Sequence, residues 1–200
     1  MNIRFRVTMA AIAMLASTPQ AYAGADGSSF EVPKGAKAAV VIFEDLQCPD
    51  CAQAHPQLLE ITHQSKVPLV VHDFPITRHA WAFPAAVFAR YFGQQSAKLE
   101  AEFRSHVFAH QKDVTPDTLR PMAEQFAANH GVTLPSIIDP DGKLKERVQS
   151  EFDLGMKIGL QYVPLVFVVG RGTGPDHWTE VTDLTQLAAA IERMKAHKGP

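Results

Sequence analysis

The sequence predicts an α/β protein whose mixed sheet is interrupted by a block of helices. Three observations lead there. Short apolar runs suited to buried strands lie at 37–43, 67–74 and 163–169. Between the second and third, residues 78–160 repeat their apolar positions at helical spacing. The first two runs flank a helical segment, and a strand–helix–strand order with parallel strands is a right-handed crossover unit. A sheet of four to five strands is expected, with a helical insertion over about 77–159.

Residues 1–23 read as a signal peptide. Arg4 and Arg6 form a basic start, residues 7–16 an apolar stretch, and Ala21-Tyr22-Ala23 a small-residue cleavage site. The apolar stretch is short for a membrane span. An exported protein, periplasmic or otherwise extracytoplasmic, is therefore expected, with residues 24–200 as the mature chain. Losing Arg4 and Arg6 with no acidic residue takes the formal charge from −2 to about −4. Mild acidity argues against a nucleic-acid partner and against a basic membrane-binding patch. The hydrophobic fraction of 46% suits a globular chain with a substantial core.

After a flexible lead-in at 24–29, residues 30–32 suggest an edge strand before the Pro33-Lys34-Gly35 turn. The run at 37–43 is continuously apolar, the mark of a strand buried on both faces. A helix starts at Cys48 or Pro49 and runs to about Gln64, with Pro56 expected to kink it. The strand at 67–74 follows. Four helices are then expected at 79–95, 99–110, 116–128 and 143–158, with a short helical turn at 134–138. Their aromatic residues, Trp81, Phe88, Phe92, Phe103 and Phe108 among them, read as packing. A strand ending in Val169-Gly170, a weak strand at 177–181, a helix at 184–196 and a loose tail complete the chain.

The chain holds two cysteines, Cys48 and Cys51, in the run Cys48-Pro49-Asp50-Cys51. Here a strand delivers them to the first turn of a helix. Unpaired backbone N–H groups and the positive end of the helix dipole there stabilise a thiolate on the first sulfur. Pro49 fits a first helical turn, where its missing N–H has no partner to lose. Cys51, one turn on, is placed to close a disulfide with Cys48. Half of a zinc site would need two more soft ligands at matching spacing, and the sequence supplies none beside the motif. A purely structural disulfide across so small a loop would constrain the unfolded chain little. Redox chemistry is the expected use, in a compartment whose partners set the resting state of the pair.

With these residues the mature chain resembles the DsbA-like thiol-disulfide oxidoreductases. The resemblance rests on residues 43–51, from Phe43 through Glu44, Asp45, Leu46 and Gln47 to Cys51. It also rests on Asp73-Phe74-Pro75-Ile76 followed by His79, and on Val163-Pro164 opening an apolar strand. It implies a thioredoxin fold with a helical domain inserted between its βαβ and ββα halves. It also implies that Val163-Pro164 is the cis-proline dipeptide that faces the cysteines and shapes a groove for extended clients.

Two positions depart from the family. Where many relatives bury an acidic residue six positions before the first cysteine, this chain has Ile42, which leaves a water or a neighbouring carboxylate, with Glu44 and Asp45 closest to the turn, to assist proton transfer. Where the strong oxidases have His before the second cysteine, it has Asp50. A carboxylate there opposes thiolate formation, so a Cys48 pKa of roughly 5–7 and a weaker oxidant than the strongest members are expected.

The resemblance thus implies an enzyme that oxidises cysteine-containing client proteins through Cys48 and Cys51, with Cys51 as resolving thiol in the reverse direction. A membrane redox partner would recharge the pair. No metal and no cofactor are expected, and the chain is expected to be a monomer. Isomerases of this fold usually add a dimerisation domain, and the residues preceding Phe30 in the mature chain are too few for one. A reductase remains the enzymatic alternative, because direction depends on partners and potential. A chaperone-like or metal-carrying module is the non-enzymatic one, hinted at by His106 and His110 at i,i+4 on a helix, a pair more commonly found on a solvated face.

Overall fold

The computed structural model describes residues 32–172 and 175–197. The expected signal peptide, the lead-in, nearly all of the 30–32 edge strand and the last three residues of the tail lie outside the described residues. Within them the first strand, β1 (Ala38–Glu44), is buried along its whole length. That is the physical meaning of its unbroken apolar run. Its odd-numbered residues Ala39, Val41 and Phe43 enter the core shared with the helical block. Ala38, Val40 and Ile42 face the opposite way, against a second core.

Helix α1 (Pro49–Ser65) runs through Pro56 and ends at Lys66, whose left-handed φ of 53° turns the Val67 N–H back to the Thr62 carbonyl at 3.1 Å. Strand β2 (Leu69–Asp73) then pairs parallel to β1, with Val40 opposite Leu69 and Glu44 opposite Asp73. Four helices follow: α2 (Ala82–Gln95), α3 (Ala97–Ala109), α4 (Leu119–Asn129) and α5 (Lys143–Lys157). Strand β3 (Leu165–Gly170) returns antiparallel to β1, and β4 (Trp178–Glu180) lies antiparallel to β3. The sheet of the described residues has four strands in the order β2-β1-β3-β4. Helix α6 (Leu187–Ala196) closes the chain, and its Leu187 and Ile191 join Ala54 and Leu58 of α1 in the second core. This is a thioredoxin fold carrying a helical insertion between β2 and β3.

Several helical elements differ from expectation. Helix α2 begins at Ala82, not His79, because residues 76–79 form a turn in which His79 N bonds Ile76 O at 2.8 Å. Helix α4 begins at Leu119, not Pro116. Upstream of it the chain is already capped, since Leu119 N bonds Thr115 O at 3.0 Å and Thr115 and Thr118 exchange backbone-to-hydroxyl hydrogen bonds of 2.8 and 3.1 Å, the reciprocal pattern of a capping box. Residues 134–138 are not helical, since Pro135 removes a donor and disfavours helical geometry in the residue before it. The 184–196 helix also opens with a 3-10 turn at Leu184–Gln186 before α6 proper.

The insertion's aromatic residues are packing, as their spacing suggests. Phe92, Phe103 and Phe126 meet with ring centroids 4.6 to 5.2 Å apart. Beneath them two buried arginines fasten the insertion to the strand ends. Arg104 of α3 reaches Glu44 and Asp73, and Arg90 of α2 reaches Asp73, Glu100 and Glu151.

Candidate active site

The turn between β1 and α1 places the two sulfurs. Cys48 N bonds Asp45 O at 3.0 Å, which tightens the turn. Cys48 is the N-cap of α1, with extended backbone (φ −77°, ψ 122°) and Pro49 in the first helical turn. Its side chain therefore sits where the helix leaves donors unpaired. Cys51, one turn deeper, is 1% exposed, and Cys48 is 6% exposed. The Val163–Pro164 peptide bond is cis, and the Cys48 thiol lies 3.7 Å from the Val163 carbonyl oxygen. β3, antiparallel to β1, thus brings the loop preceding it to the cysteine turn.

The two thiols differ sharply in acidity. A hydrogen bond from Cys51 is the largest influence on Cys48 and, joined by the backbone N–H groups of Cys51 and Asp50, it lowers the Cys48 pKa to about 6. Burial and the Asp45 carboxylate oppose it. Burial, with the bond it gives to Cys48, pushes Cys51 far above the ordinary thiol range. One sulfur is thus built to carry charge and the other to hold its proton.

The carboxylates around the turn divide the work. Asp45 is fully buried and accepts from Gln47 N at 2.6 Å, Ile76 N at 2.7 Å and His79 Nδ1 at 2.8 Å. Its own N–H points to Cys51 Sγ at 3.5 Å. Glu44 accepts from Arg104 Nη1 at 3.2 Å, yet burial outweighs that partner and pushes its carboxyl up to about 7. Burial would raise Asp73 as well, but Arg104 and Arg90 together hold it at about 2. Ile42 lies within the apolar core formed with α1 and α6. The buried carboxyl groups of this turn are accordingly Glu44 and Asp45.

The structure brings Cys48, Pro49, Cys51, Val163 and Pro164 together and leaves the Asp50 side chain exposed. Asp50 acts on Cys48 through its backbone N–H, and the carboxylate opposing ionisation is that of Asp45. His106 and His110 lie with ring centroids 4.3 Å apart, and His110 Nδ1 donates to His106 O at 2.8 Å. Among the described residues no group of three or more His, Cys, Asp or Glu side chains is arranged to hold a metal.

Sequence reasoning missed three partners of the turn. Gln47 accepts from Trp81 N at 2.9 Å, Gln111 donates to the backbone of the turn, and Arg104 lies below it. The one available signal was at Arg104, a charged residue adjoining Phe103 within a helix otherwise buried on that side.

A sequence model of the thioredoxin family matches residues 33–192. The chain is 27% identical over 170 residues to the Na(+)/H(+) antiporter NhaA 3 of Salinispora tropica. That alignment covers 84% of this chain and 26% of the antiporter, so the chain spans about a quarter of the length of the curated relative it matches. No helix of the described residues is long and apolar enough to cross a membrane. Among solved structures, the chain is similar to the thiol-disulfide exchange protein alpha-DsbA2 of Wolbachia pipientis. The TM-score is 0.66 at 16% identity, covering 82% of this chain and 85% of that one. Pseudomonas aeruginosa DsbA2 gives 0.58 at 17% identity, covering 80% and 89%. A periplasmic thioredoxin-like protein of Salmonella enterica serovar Typhimurium gives 0.62 at 23% identity, covering 82% and 87%. At these identities the solved structures speak for the fold.

Proposed function

Because the chain belongs to the thioredoxin family, we propose that it is an exported thiol-disulfide oxidoreductase whose Cys48–Cys51 disulfide oxidises cysteine pairs in client proteins. The observation that carries this reading is the contrast between the two thiols, with Cys48 lowered to about 6 beside the Val163 carbonyl and Cys51 strongly raised. A stabilised thiolate favours the reduced form, which makes the corresponding disulfide oxidising.

In the first step a client thiolate attacks Cys48 Sγ. The Cys48–Cys51 bond breaks, a client–Cys48 mixed disulfide forms, and Cys51 leaves and takes a proton. Glu44, whose charge is felt at Cys51, is the buried carboxyl suited to supply that proton. The client's second thiolate then attacks the client sulfur of the mixed disulfide. Cys48 departs as a thiolate, a good leaving group because of its low pKa. The client has lost two electrons and two protons, and the protein has gained the two electrons. A membrane redox partner then removes them and restores the disulfide. Val163, with Pro164 behind it, offers main-chain groups to an extended client segment. Sulfur carries the whole exchange, so no cofactor is called for. The protein acts as a monomer outside the cytoplasm.

The test is a trap. A Cys51→Ala variant incubated with a disulfide-bearing peptide should accumulate a mixed disulfide through Cys48, identified by peptide mapping. Cys48→Ala should accumulate little, since the remaining thiol is buried and protonated. An adduct found mainly on Cys51, or none on either variant, contradicts the assignment.

A further inference from the structure

Gln111 opens a short 3-10 turn, Gln111–Asp113, just past the end of α3. Its side chain crosses to the cysteine turn, where Nε2 donates to Leu46 O at 2.8 Å and to Cys48 O at 3.0 Å. Both hydrogens of the amide are thereby used, and the two carbonyls they meet flank the nucleophile. Cys48 O also accepts from Ala52 N at 3.1 Å, so it is the first carbonyl of the α1 ladder. Cys48 is the N-cap residue of α1, and its thiol lies 3.7 Å from the Val163 carbonyl oxygen. Gln111 is held from behind. Asp113 N bonds His110 O at 2.9 Å, and the following Val114 is buried in the core.

Carbonyl oxygens are the negative ends of peptide dipoles, and those of the turn that carries a thiolate oppose its charge. Donors bound to those oxygens offset that effect and fix the turn that aims the sulfur. We propose that Gln111 is a positioning residue for the exchange reaction. Its amide holds the Leu46 and Cys48 carbonyls, favours the Cys48 thiolate, and makes the helical insertion a determinant of the redox potential. This inference rests on the exchange reading of Cys48 and Cys51. The residue type matters. A Glu would turn an acceptor, charged, toward two acceptors, and an Ala would leave both carbonyls to water.

The experiment compares wild type, Gln111→Ala and Gln111→Glu by thiolate absorbance against pH and by equilibrium with a glutathione buffer. Gln111→Glu should raise the Cys48 pKa by ~1 and make the disulfide roughly tenfold harder for glutathione to reduce. Gln111→Ala should move both in the same direction, by roughly threefold in the equilibrium. Chemical denaturation of each variant is measured alongside. Variants that lose stability, or lose nothing, while keeping the wild-type pKa and equilibrium overturn the inference and reduce Gln111 to a structural contact. Should Gln111→Ala fail to fold, the near-isosteric Gln111→Glu carries the test. A wild-type protein that does not exchange with glutathione overturns the exchange reading itself, and this inference with it.

Discussion

Arg104 grips Asp73 with two nitrogens at 2.8 and 3.2 Å, both side chains almost wholly buried. The same guanidinium bonds Glu44 and Glu100, so one residue of the insertion ties down three carboxylates around the strand ends. Removing it takes the cation from Glu44 and leaves buried Asp73 and Glu100 to Arg90 alone. Arg104→Met should lower the free energy of unfolding by about 3–5 kcal/mol. Arg104→Lys should recover part of that, since a point charge replaces the two-pronged contact. Urea denaturation checks both, and a loss below about 1 kcal/mol for Arg104→Met would contradict the assigned role.

Glu44 gives the stability a pH dependence of unusual sign. In the folded chain it keeps its proton up to about 7, and in the unfolded chain only up to its ordinary value near 4.5. Between those values the folded state binds more protons than the unfolded state, so this group's contribution falls as pH rises and levels off above about 7. Glu44→Gln removes the titration. Its stability relative to wild type should therefore rise by up to about 3 kcal/mol from pH 4 to pH 8. Denaturant curves at several pH values make the comparison. A difference that does not change with pH would rule out a protonated Glu44.

The fold was largely legible because its signals are local. The unbroken apolar run of β1, the Cys-Pro-Asp-Cys at a helix start and the helical periods between β2 and β3 each need only neighbouring residues to be read. Local chemistry also explains the helical turn that does not form at 134–138, where Pro135 overrides a helical pattern. The partners of the site were not legible. A sequence window cannot show that Arg104 turns inward among carboxylates, that Gln111 reaches the Cys48 carbonyl, or that Asp45 and not Asp50 is the carboxylate whose charge is felt at Cys48. Those depend on how the insertion docks.

That last distinction is measurable. Asp45 is buried and raises the Cys48 pKa, whereas the Asp50 carboxylate is exposed and screened by water. Asp45→Asn should lower the Cys48 pKa by ~0.5–1, and Asp50→Asn by clearly less. Thiolate absorbance against pH on the two variants decides it. A larger change from Asp50→Asn would return the electrostatic control to the dipeptide between the cysteines.

In the proposed function the Cys48 thiolate makes the Cys48–Cys51 disulfide an oxidant of client thiols. The most direct test is the reduction potential of the pair, measured by equilibration with glutathione at pH 7. With Cys48 at about 6, the potential should lie between about −270 mV, that of thioredoxin, and about −120 mV, that of the strongest DsbA oxidant. A value at or below about −270 mV would contradict the account and make the protein a reductase.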